Sequence, residues 1–166
     1  AIAMTEPGTG SDLQAIRTVA KREGDHYVIN GAKTWITNSM YGDMILLLAK
    51  TDPEAQPRHK GMTMFIAEKS EGFIVAKKMK KAGYRAIDTC ELVFDNYKVP
   101  ADCVLGGEEG MGFLHAVGGL ELGAIFGTNL KLRISAGQGQ EGHVIDLGKT
   151  LGEKFRITQY WYPNDD

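Results

Sequence analysis

His26-Tyr27-Val28-Ile29-Asn30-Gly31-Ala32-Lys33-Thr34-Trp35-Ile36-Thr37 is the stretch that decides the fold class. β-Branched and aromatic residues lie on both sides of Asn30-Gly31, and such residues suit a pleated, half-buried surface. Asn-Gly between two runs of this kind predicts a two-residue hairpin, because a type I′ turn needs φ > 0 at both central positions. Upstream, Ile16 to Ala20 reads as another short strand, closed by Gly24-Asp25. Downstream, strands are expected from Met44 to Lys50, Met62 to Glu68, Phe73 to Lys78 and Cys90 to Tyr97, punctuated by Asp52-Pro53, Gly61, Gly72 and Gly83. Many short strands at this spacing predict a mainly β fold, an antiparallel barrel or sandwich. After Val99-Pro100 the apolar residues from Gly112 to Ile125 fall at near-helical spacing, so a short helical segment is expected after residue 108, weakened by Gly118-Gly119 and Gly123.

With 166 residues, 43% hydrophobic and 24% charged, the chain can bury a core of its own. A formal charge of −2 leaves no electrostatic footprint for nucleic acid or an anionic membrane. The longest apolar run, Met44 to Ala49, is far short of the ~20 residues that span a bilayer as a helix, so no membrane insertion is expected. Cys90 and Cys103 form no metal-ligand motif and read as buried thiols, and the four histidines are scattered singly. Neither a metal site nor a nucleophile motif is expected. Of 21 glycines, eight lie in the first 105 positions and thirteen in the last 61. The chain opens at Ala1 in mid-phrase, without a leader pattern, and reads as a piece of a longer one.

Three constellations carry chemistry. Met4 to Asp12 (MTEPGTGSD) places Gly8 and Gly10, which allow close backbone approach, among the hydroxyls of Thr5, Thr9 and Ser11. Successive N–H groups there form a concave anion site, or else a glycine turn with a Ser/Asp cap. Trp35-Ile36-Thr37-Asn38 puts an indole and a hydroxyl two residues apart, on one face of a strand, suited to a flat ring system; a core tryptophan is the structural alternative. Lys81 to Phe94 reads as a turn feeding a strand, in which Arg85 and Asp88 could pair. The basic run from Lys77 to Lys81 reads as a solvated strand edge protected against aggregation, in preference to an anion-binding strip.

Taken in order, TEPGTGSD (5–12), NGAKTWITN (30–38) and GYRAIDTCELVFDNYKVPADCVLG (83–106), followed by GMGFLHAVGGLEL (110–122), resemble the acyl-CoA dehydrogenase flavoproteins. The resemblance covers about residues 1–122. It implies a middle β-domain over 1–107, the start of a C-terminal helical domain over 108–126, and a divergent, unassigned tail over 127–166. It implies FAD as cofactor, held by Met4, Thr5, Gly10, Ser11, Trp35, Ile36 and Thr37, with Thr5 near the pyrimidine side and Thr37 near N5, the hydride acceptor. Ser11 and Glu121 are the implied contacts to acyl-CoA. The implied reaction is α,β-dehydrogenation of an acyl-CoA thioester to a trans-2-enoyl-CoA, in a homo-oligomer that passes electrons to electron-transfer flavoprotein or a similar acceptor. Bacterial cytoplasm or the mitochondrial matrix is the implied location.

The chain also departs from the family. Ala124 stands where an arginine is expected, and Gly123 stands where one branch keeps its catalytic glutamate. No catalytic residue is therefore assigned, and the chain is expected to be inactive by itself. A noncatalytic flavin- or CoA-binding module, or an acyl-CoA oxidase-like flavoenzyme, remains an open alternative.

Overall fold

In the computed structural model the run from His26 to Thr37 is a single long strand. The structure describes residues 1–122, 131–134 and 143–146. Two compact units are present, Ala1–Ala116 and Val117–Asp166. The first is built on β1 (Ile2–Ala3), β2 (Val19–Glu23), β3 (His26–Thr37), β4 (Met44–Lys50), β5 (Met62–Glu68), β6 (Phe73–Lys78) and β7 (Thr89–Pro100). A helix, α1, runs from Gly112 to Leu122. In the second unit β8 (Lys131–Ile134) pairs antiparallel with β9 (His143–Asp146), inside the stretch that the sequence left unassigned.

The mainly β architecture is as expected, and β4, β5 and β6 have the anticipated bounds. The sheet is mixed, however: β1 and β2 both pair parallel with β4, and the order is β1-β4-β2-β3-β7-β6 with β5 on β4. The other pairings are antiparallel.

The hairpin expected at Asn30-Gly31 does not form there. The chain reverses at Gly24-Asp25, where Gly24 has φ +67°, and Glu23 pairs with His26. Asn30 lies opposite Val19, and Gly31 lies opposite Phe94 across a bulge whose extra residue is on β7. Gly31 is needed for a close approach rather than a turn: a Cβ there would come within 2.7 Å of Thr18 Cα, and its φ is +152°. Gly31→Ala is accordingly expected to destabilise the protein by about 2 kcal/mol, read as a lowered denaturant midpoint, through clash and a backbone conformation alanine resists.

Alternate residues of β3, β4 and β7 point into one core. Tyr27, Ile29, Leu47, Leu92 and Tyr97 there meet Phe65, which stacks edge-on against Tyr27 at 4.9 Å. Tyr97 directs its hydroxyl to the carbonyl of Glu68 at 2.5 Å, and burial pushes its pKa up to about 12. A smaller cluster joins Ile16, Leu48, Met62 and Met64 to Ala116 of α1. Of the two cysteines, Cys90 is buried and Cys103 only half-buried; both are free. Lys77, Lys78 and Lys80 are exposed along edge strand β6 and beyond it, which fits the solvated-edge reading. The pairing of Arg85 with Asp88 is not formed. Asp88 is buried and accepts from the Met40 N–H at 2.8 Å, while Arg85 Nε donates to the Lys81 carbonyl.

Candidate functional site

The Thr5–Asp12 loop is a tight turn in which the Glu6 and Thr9 main chains bond each other at 2.9 and 3.1 Å. Asp12 Oδ1 accepts from Gln14 N–H, so the capping reading of this loop is met. Pairing of Glu6 and Thr9 removes their N–H groups from any anion cradle. The N–H groups of Gly8, Gly10 and Ser11 have no acceptor among the described residues. A cavity of about 250 Å³ opens beside the turn, lined by Pro7, Gly8, Thr9, Arg17 and Gly31 among others. A Cβ on Gly8 would meet nothing, so the backbone there is open to close approach.

The second segment is shaped by a bulge. The register steps from Lys33 opposite Leu92 to Ile36 opposite Cys90, placing one extra residue on β3. Trp35 takes up the irregularity at φ +61°, and Asn38 follows at φ +60°. Asparagine tolerates this region, but a tryptophan held there costs about 1–3 kcal/mol. The result is an indole 62% exposed, flanked by buried Ile36 and exposed Thr37. The core-tryptophan alternative is thereby set aside.

The two segments are joined at their bases. Thr34 N–H donates to the Thr5 carbonyl at 2.9 Å, and Lys33 Nζ donates to the Met4 carbonyl at 3.0 Å. Lys33 Nζ also meets Glu6 Oε1 at 2.8 Å, with Lys33 fully buried and Glu6 nearly so. Glu6 further accepts from Thr18 N–H and Oγ1 and from Arg17 N–H. Met4 and Thr5 are half-buried beside β3, and Gly10 lies by the Thr5 methyl. Ser11 is exposed and makes no described contact with Trp35 or Thr37. Glu121 lies on α1; Gly123 and Ala124 lie outside the described residues.

Sequence reasoning missed Lys33, Glu6 and Thr18. Burial, the largest influence on Glu6, pushes its pKa up, but the Lys33 charge and the hydrogen bonds from Lys33, Thr18 and Arg17 together hold it below 4.5. Burial pulls Lys33 down to about 8, against the pull of Glu6, so the pair is charged at neutral pH. Because the folded pKa of Glu6 lies below the unfolded one, its stabilisation is complete above about pH 4.5 and is lost as pH falls through the folded value. Urea midpoints measured downward from pH 5 are expected to fall for this reason, and to fall less steeply in Glu6→Gln.

An exposed aromatic face, nearby hydroxyls and free N–H groups at glycine-opened backbone are the donor set that a flavin dinucleotide requires, so the residues present fit that cofactor. Among the described residues no cluster of His, Cys, Asp or Glu could hold a metal ion, and no helix is long and apolar enough to cross a membrane.

Comparison with known proteins agrees. A family profile described as "Acyl-CoA dehydrogenase, middle domain" matches residues 1–97. Mitochondrial isovaleryl-CoA dehydrogenase of Pongo abelii is 45% identical over 123 residues, 74% of this chain and 29% of that protein. Mitochondrial long-chain specific acyl-CoA dehydrogenase of Rattus norvegicus is 47% identical over 116 residues, 69% of this chain and 27% of that one. The crystal structure of acyl-CoA dehydrogenase from Geobacillus kaustophilus superposes with a TM-score of 0.70 at 48% identity, over 73% of this chain and 32% of that one. The chain thus spans about three-tenths of the length of these relatives. A profile match over more than half of the chain, at the residues that shape the turn, the bulge and the exposed indole, shows that this chain belongs to the acyl-CoA dehydrogenase family, with the middle domain of that family in residues 1–97.

Proposed function

We propose that residues 1–107 are the flavin- and acyl-CoA-facing β-domain of an FAD-dependent enzyme that converts an acyl-CoA thioester to its trans-2-enoyl-CoA. The observation that carries this reading is the indole of Trp35, exposed on a strand bulge beside Thr37 and tied at its base to Met4 and Thr5. Bound FAD supplies the acceptor for the β-hydrogen. Trp35 would cover one face of the ring system with the main chain of buried Ile36 beside it, and Thr37 would donate a hydrogen bond at its edge. Met4 and Thr5 border the ring from the first segment, where the Thr5 hydroxyl is the polar group. The N–H groups of Gly10 and Ser11 would donate to phosphate oxygens and the Ser11 hydroxyl would bond acyl-CoA, while Glu121 enters the proposal as an acyl-CoA contact by its place in the sequence alone.

The α-proton needs a carboxylate base, and Glu6 cannot serve. Its two oxygens already accept four hydrogen bonds, and it is buried and held ionised by Lys33. A carboxylate so saturated is a poor proton acceptor. No base is therefore assigned among the described residues, and incubation of the chain with acyl-CoA and an electron-accepting dye is expected to give no enoyl-CoA; product formation would overturn this. Homo-oligomerisation, an electron-transfer flavoprotein-like acceptor, and a bacterial cytoplasmic or mitochondrial matrix setting belong to the same proposal.

Trp35→Ala removes the aromatic face while leaving the core intact. Loss of ring stacking, worth about 1 kcal/mol beyond area burial, is expected to weaken FAD binding at least about fivefold, measured by quenching of flavin fluorescence. An unchanged affinity would place the flavin elsewhere.

A further inference from the structure

We infer that Lys33 is a positioning residue: with the buried carboxylate of Glu6 it latches the Met4–Glu6 main chain onto the strand that carries Trp35 and Thr37, so that the two segments hold one geometry toward the cofactor. The inference rests on the flavin reading above. Its basis is the choice of acceptors. A single ammonium, fully buried, bridges the Met4 carbonyl at 3.0 Å and Glu6 Oε1 at 2.8 Å, two groups on opposite sides of Thr5. The Thr5 carbonyl between them is taken by the Thr34 N–H at 2.9 Å. Successive polar groups of this short segment are thus bonded to β3 immediately before the bulge, which leaves the Thr5 side chain as its unspent polar group.

The far side of the latch is equally determined. Thr18 donates to Glu6 through both its N–H and its hydroxyl, at 3.0 and 2.6 Å, and Arg17 N–H closes the other oxygen at 2.6 Å. Thr18 reaches that position only because Gly31 has no side chain: a Cβ there would lie 2.5 Å from Thr18 Oγ1. A buried ion pair is a poor way to gain stability, since apolar residues of similar volume often do as well. What methionine at position 33 cannot do is donate to two acceptors on either side of Thr5. This is the property that a positioning role uses.

The test separates position from stability. Glu6→Gln/Lys33→Met carries no buried charge, so its melting temperature is expected to recover most of the loss seen in Lys33→Met, while the latch stays open. In the double variant of the full chain, amide exchange at Thr34 is expected to rise at least tenfold without any flavin, and the dissociation constant for FAD to rise at least tenfold. Wild-type Thr34 exchange and wild-type FAD affinity in a double variant of recovered stability would overturn the positioning role. A wild-type chain that binds no FAD while the variant's Thr34 exchange rises overturns the flavin reading and with it the purpose assigned to the latch, so the two failures are distinct.

Discussion

Lys33→Met alone is expected to lower the unfolding free energy by about 3–5 kcal/mol, among the largest effects of any single substitution in this chain. The variant keeps the volume of the side chain but strands the buried carboxylate of Glu6, in the Thr5–Asp12 turn, without its counter-charge. It also leaves the Met4 carbonyl without a donor. Glu6→Gln is expected to be milder than Lys33→Met. An amide keeps an acceptor oxygen for Thr18, although the buried Lys33 then loses its partner and sheds its proton more readily. Urea denaturation at pH 7 reads both; losses under 1 kcal/mol in Lys33→Met would show that the pair contributes little.

Phe65→Ala is the second large effect, expected at about 3–5 kcal/mol. Phe65 is fully buried on β5, lies opposite Leu47 of β4, stacks on Tyr27 of β3 and bridges to Val104. Phe65 thus lies in the core cluster where elements far apart in sequence meet. Its loss opens a cavity where several strands converge, and a rigid sheet cannot collapse to fill it. Phe65→Leu, which keeps most of the volume, is expected to cost under about 1.5 kcal/mol. Thermal melts of the two variants check the difference.

Strands whose signals were local were legible. Met44–Lys50 and Met62–Glu68 are apolar runs closed by Asp52-Pro53 and Gly61, and they form with those bounds. Asn30-Gly31 misled because a bulge and a type I′ turn ask for the same residues. The choice between them was made by Thr18 and Phe94, which no local pattern connects to Gly31. The parallel pairing of β1 on β4 was invisible for a similar reason, since two residues carry no period. At the site, the order of motifs singled out Met4–Ser11 and Trp35–Thr37, and strict alternation puts Trp35 and Thr37 on one face. The bulge between Lys33 and Ile36 breaks that alternation, burying Lys33 and exposing Trp35. Glu6 and Lys33 lie 27 residues apart, so their pairing became readable only once the turn and strand were in place.

Placing the flavin between a glycine-opened turn and an indole on a bulge makes a local claim about which residues it touches. Amide chemical shifts of the uniformly labelled 166-residue chain, followed as FAD is added to millimolar concentration, test it most directly. The account predicts saturable shifts concentrated at Met4 to Ser11 and Trp35 to Thr37, including the Trp35 indole N–H, and weakened in Trp35→Ala. Shifts centred on the Lys77–Arg85 edge, or no shifts in a folded chain, would contradict it.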